Sequence, residues 1–167
     1  MSLYFGIPIL LLAAVVQSTW LEGIHLVGGR PDLVLLLAVT WSIIRGAEEG
    51  ALWGFVGGVF CDLLSGSGLG LWTLSLTIVG FLAGQSWVHA LGPTVIRLAL
   101  MSAFGTLLGH LILLLTMGLL EYSVNIGGSL LTVAGPAALL NLVLSPFAFS
   151  FLVWFHQRNR MRARGGG

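Results

Sequence analysis

The chain has 167 residues, of which 57% are hydrophobic and 8% charged, with a formal net charge of +1 and a mean hydropathy of +1.01. Soluble domains carry about 25% charged residues, so this composition excludes one. A single cysteine also excludes an intrachain disulfide and any multi-cysteine metal site.

Hydropathy predicts an all-α, polytopic membrane protein: a compact bundle of about six transmembrane helices, at about 3–21, 31–44, 50–64, 69–89, 94–120 and 131–156. A straight crossing takes roughly 20 apolar residues. The second and third spans are shorter than that, and read as a compact hairpin. No basic residue precedes the first apolar run, so it reads as a retained helix rather than a cleaved signal peptide. Turns fall at about 45–49, 65–68, 90–93 and 121–129. The organisation is one membrane domain, 1–157, followed by a basic tail, 158–167. A re-entrant second segment would instead leave five crossings, and would put Arg45 and the tail on opposite faces.

With six crossings, Arg45, Arg97, Arg158, Arg160, Arg162 and Arg164 share one face, and Arg30 stands on the other. Arginine-rich loops stay cytoplasmic, so both termini are expected inside. Trp20 and Trp72 fall at outer ends, and Trp41, Trp53, Trp87 and Trp154 near inner ends, as an aromatic belt would have them. The tail reads as an anchor that also meets anionic lipid, at about 1 kcal/mol per arginine. It is too short to suggest nucleic-acid binding.

Nearly half of the charges, Arg30, Asp32, Arg45, Glu48, Glu49 and Asp62, lie between Gly29 and Gly70. Inserting a charge into hydrocarbon costs about 2.5–3.5 kcal/mol, so this block marks a special place. Within it, Gly50, Gly54 and Gly58 recur every fourth residue, and Gly57, Cys61 and Ser65 extend a ridge of small side chains. Such a ridge admits close approach by another helix. That helix could belong to this bundle or to a partner. In the partner case, Gly54→Leu should abolish capture and spare insertion. Gly80 with Gly84, and Gly105 with Gly109, repeat the spacing. Cys61 itself reads as a packing residue.

Asp62 follows the ridge and requires a donor, either the 65–68 turn or Arg30. Pro31 suits a first helical turn, and Asp32 the electropositive helix start behind it. Arg30, Asp32, Asp62 and Ser65 together form an expected outer-rim polar cluster. Glu48 and Glu49 begin the third helix beside Arg45. His110 and Asn141 lie deep in the fifth and sixth spans, where polar side chains hydrogen-bond between helices. Pro136 and Pro146 are expected to break or kink the last helix. No Ser–His–Asp arrangement, metal-ligand spacing or phosphate-binding loop is visible. The chain reads as no enzyme, with no catalytic residues, no metal and no cofactor.

Arg30-Pro31-Asp32 followed by Leu33-Val34-Leu35-Leu36-Leu37, then Trp41, the run of Gly50, Gly54, Gly57 and Gly58, and finally Asp62-Leu63-Leu64-Ser65-Gly66 with Leu69-Gly70 form an ordered set. This set resembles the rod shape-determining MreD family, over about residues 29–74. The resemblance implies a bacterial inner-membrane component of the cell-elongation machinery. It would bind MreC and act with RodA, its penicillin-binding transpeptidase partner and, indirectly, MreB in lateral peptidoglycan synthesis. It also implies a fold similar to the substrate-binding subunits of energy-coupling-factor transporters, and no catalytic residues.

Two functions therefore compete. One is a non-catalytic scaffold that binds the transmembrane helix of MreC and helps organise wall synthesis and cell shape. The other is a small-molecule-binding membrane subunit of a vitamin-type transporter, against which the scarcity of polar groups counts. A proton-coupled carrier would need Asp62, His110 and Glu22 on one path, and their expected depths disfavour it.

Overall fold

An apolar run without a polar stripe can be buried on every side, and the run after Asp32 is. In the computed structural model, which describes residues 2–19, 30–66, 70–119, 128 and 130–164, it becomes a helix at the centre of an all-helical bundle. The helices are α1 (Ser2–Thr19), α2 (Leu33–Arg45), α3 (Ala47–Ser65), α4 (Leu71–Ala83), α5 (Thr94–Leu119) and α6 (Gly135–Arg164). A 3-10 helix, Ser86–Leu91, links α4 to α5, and a π-helical turn, Leu130–Ala134, leads into α6. No strand occurs among the described residues. Trp20, Glu22 and the turn at 121–127 lie outside them.

α2 packs against α1, α3, α4, α5 and α6. Its buried stretch runs unbroken from Val34 to Ser42. At 13 residues and about 1.5 Å per residue it falls well short of a bilayer's hydrocarbon thickness. α5 and the segment Thr132–Trp154, which runs from the π-helical turn into α6, are long and apolar enough to cross, whereas Gly6–Thr19, α2 and α4 are shorter apolar helices.

Gly46 alone makes the α2–α3 turn, with φ 99°, a region that side chains with a Cβ avoid. Its amide donates to Ser42 O at 2.7 Å, and its carbonyl accepts from Gly50 N at 3.0 Å. On α1, Gly6 abuts Trp53, while Gln17 Oε1 accepts from Val34 N at 3.2 Å. α1 therefore runs alongside α3, with both N-termini at one end of the bundle. Arg45, Glu48, Glu49, His89 and Arg97 gather at that end, and Asp32 and Asp62 at the other.

Three expectations change. Trp41 and Trp53 do not join a belt at the surface; they are buried and stack on each other, with ring centroids 4.4 Å apart and planes 14° apart. The fourth helix stops at Ala83, because Gly84 is pressed against the Gly46–Ala47 backbone and Gln85 turns extended, at ψ 151°. The last helix does not break. Pro136 lies in the first turn of α6, where proline is tolerated, and α6 continues through Pro146. Pro146 has no N–H for Leu142 O, but the Ser145 hydroxyl donates to that carbonyl at 2.8 Å.

Candidate functional site

The glycine ridge divides between two neighbours. Gly54 and Gly58 face α4, and Gly50 faces both Ser42 of α2 and Gly80 of α4. A Cβ added at Gly54 would stand 2.6 Å from the Leu76 carbonyl carbon, and one at Gly58 would stand 2.8 Å from Thr73 N. The approach is mutual, since a Cβ at Gly80 would stand 2.9 Å from the Gly50 carbonyl carbon. The Ser42 hydroxyl donates to Gly80 O at the same seam. Gly57 points the other way, toward Val34 and Leu10. Cys61 is buried in the apolar core beside them. α4 thus lies on the ridge's main face, and no partner helix can lie there while it does.

At the far end of α3, Asp62 is 3% exposed and turned onto the start of α4. Its Oδ2 accepts from Gly70 N at 2.9 Å, Thr73 N at 3.1 Å and the Thr73 hydroxyl at 2.6 Å. Its Oδ1 accepts from Trp72 N at 2.8 Å. Opening amides of a helix have no intrahelical acceptor, and the helix dipole favours an anion beside them. Asp62 meets both requirements from a neighbouring helix. The described partners of Asp62 lie in 70–73 and do not include Arg30 or Ser65. Arg30 is exposed before α2, and Ser65 is exposed at the end of α3.

Asp32 builds a second junction. Its Oδ1 accepts from Leu35 N at 3.0 Å and caps α2. Its own amide donates to Asn141 Oδ1 at 2.9 Å. Asn141 Nδ2 donates onward to Thr106 Oγ1 at 2.8 Å, and the Thr106 hydroxyl donates to Ser102 O at 2.7 Å. Asn141, fully buried, therefore ties the head of α2 to α5 and α6. Asp32 Oδ2 is buried without a hydrogen-bond partner. His110 Nδ1 bonds back to Thr106 O at 2.9 Å, and its ring stands nearly perpendicular to that of Trp72, with centroids 6.3 Å apart.

Asp32 and Asp62 anchor separate junctions, and Arg30 and Ser65 join neither through a described hydrogen bond. The residues that complete the junctions, Thr73 and Thr106, drew no attention in the sequence. Ser102, Thr106 and His110 do recur every fourth residue along α5, and such a polar stripe on a membrane helix was the available signal. Among the described residues no group of His, Cys, Asp and Glu is placed to hold a metal ion.

The ordered block from Arg30 to Gly70 therefore supplies the two carboxylates of the helix junctions, Asp32 and Asp62, and the glycines of the α3–α4 seam. A family model described as rod shape-determining protein MreD matches residues 1–157. The chain belongs to the MreD family. No curated protein and no solved structure matches it. Membership makes this a bacterial membrane protein of rod-shape determination, in a family of shape-determining rather than enzymatic proteins. The two junctions and the glycine seam are how this MreD sequence holds short, almost wholly apolar helices together.

Proposed function

We propose that this MreD-family chain is a non-catalytic scaffold of the cell-elongation complex. It captures MreC through that protein's transmembrane helix, and so helps position RodA and its transpeptidase partner, with MreB engaged indirectly. The chain lies in the inner membrane as a multi-pass bundle with both termini cytoplasmic. The end bearing Arg45 and Arg97 faces inward, in keeping with the positive-inside rule, and residues 158–167 form a basic tail there. The family match over residues 1–157 carries this reading.

The buried polar groups support a scaffold over a ligand-binding transporter subunit. Asp62 and Asn141, which such a subunit would turn toward a ligand, are turned toward helix amides and hydroxyls instead. With α4 on the ridge, the MreC helix docks on another face of the bundle. Depletion in the native host tests the shape role. Cells that widen or round on depletion support it, and unchanged width at full depletion contradicts it.

A further inference from the structure

Two arginines stand at the same end of the bundle and are treated differently. Arg45 is neutralised by Glu49, with Nη2 2.8 Å from Oε1. Arg97, one turn into α5, pairs with no carboxylate of the described residues. Its Nη2 donates to Thr94 Oγ1 at 3.0 Å, and its Nη1 contacts His89 Nδ1. A guanidinium can only donate, so in this contact His89 Nδ1 is the acceptor, which leaves Nε2 as the ring's N–H. Arg97 Nε is buried without an acceptor.

A permanent cation is misplaced near a helix N-terminus, where the dipole is itself positive. An external anion would relieve that conflict, and would accept from the Nη N–H groups that Thr94 and His89 leave over and from His89 Nε2–H. The surroundings say which kind of anion. Trp87, Val95 and Ile96, next to His89 and Arg97 in sequence, are 49%, 54% and 48% exposed. A free anion gains nothing from exposed apolar side chains, whereas a phosphate carrying acyl chains does.

We propose that Arg97, His89 and Thr94 bind the phosphodiester headgroup of an anionic phospholipid, whose chains lie along Val95 and Ile96. The site is independent of the scaffold reading. It is tested with the full chain in neutral detergent, titrated separately with phosphatidylglycerol, phosphatidylcholine and inorganic phosphate, with bound lipid counted by native mass spectrometry. Arg97→Gln should weaken phosphatidylglycerol retention by about five-fold, and Arg45→Gln should not.

A variant with Arg158, Arg160, Arg162 and Arg164 all changed to Gln separates this site from the tail. It should still prefer phosphatidylglycerol to phosphatidylcholine, a result that stands even if Arg97→Gln fails to fold. Equal retention by a monodisperse Arg97→Gln protein would overturn the site. So would loss of the lipid preference in the tail variant. Inorganic phosphate that displaces the lipid at equimolar concentration would show a free-anion site instead, and would also overturn the proposal.

Discussion

Asp62 receives both the amide and the hydroxyl of Thr73, at 3.1 and 2.6 Å, so the last turn of α3 grips the first turn of α4. The same two helices meet lower down through Gly54 and Leu76, backbone against backbone. A carboxylate clasp at one end and a glycine seam along the length make α3 and α4 one rigid hairpin. Each contact depends on the other, because amides can reach Asp62 only if the helices lie as close as the glycines allow.

Replacing Asp62 with Ala leaves the opening amides of α4 and the Thr73 hydroxyl without their acceptor. Hydrogen bonds to a charged group contribute about 1.5–3 kcal/mol each, and they do not sum fully. Asp62→Ala should therefore cost at least about 3 kcal/mol, read as a fall in unfolding midpoint in detergent. Asp62→Asn should be intermediate, since it keeps an acceptor oxygen but turns an NH2 toward other donors. Arg30→Gln should change the midpoint little.

Gly54→Leu should prevent recovery of monodisperse protein, rather than only release a partner, because its Cβ would meet the Leu76 backbone and α4 cannot yield locally. Gly118 is the control: among the described residues, no atom within 4 Å would meet a Cβ there. Gly118→Ala in the same assay should be neutral or stabilising by up to about 1 kcal/mol, the helix-propensity difference.

Asn141→Leu should destabilise by about 1–3 kcal/mol, because the Asp32 amide and the Thr106 hydroxyl lose a buried partner. Thr106→Val removes one end of the same chain of bonds, so the double variant should cost less than the two singles added. Strict additivity in chemical unfolding would show that the two side chains act independently.

Glu49→Gln should barely alter stability. Its bridge to Arg45 is partly solvated, with side chains 39% and 30% exposed, and such pairs contribute about 0–1 kcal/mol. Glu49 also accepts from the Trp41 indole at 3.0 Å, and Trp41 stacks on Trp53. The substitution should therefore shift tryptophan emission while leaving the unfolding midpoint nearly unchanged.

Much of the bundle could be read from the sequence because hydropathy and helix caps are local. Pro31 and Asp32 mark the head of α2, and the apolar run from Thr94 gives α5 nearly to the residue. What escaped depends on contacts between distant segments. The partners of Asp62 lie 8 to 11 residues onward, past a turn whose geometry no pattern specifies. Asn141 reaches Asp32 across 109 residues. Trp41 and Trp53 look like belt residues by position, yet they are buried because Gly6 gives the indole of Trp53 room under α1. Pro146 looks like a break until Ser145 is seen to serve the carbonyl it leaves open. Glycine spacing showed that a close approach exists on α3, but could not tell α4 from a partner.

The scaffold claim is tested most directly by co-purifying the tagged chain in mild detergent with MreC from the same organism, and with an MreC that lacks its membrane helix. The account predicts capture of intact MreC and loss of capture when the helix is removed. A folded, monodisperse chain that captures neither form, or both equally, would contradict it.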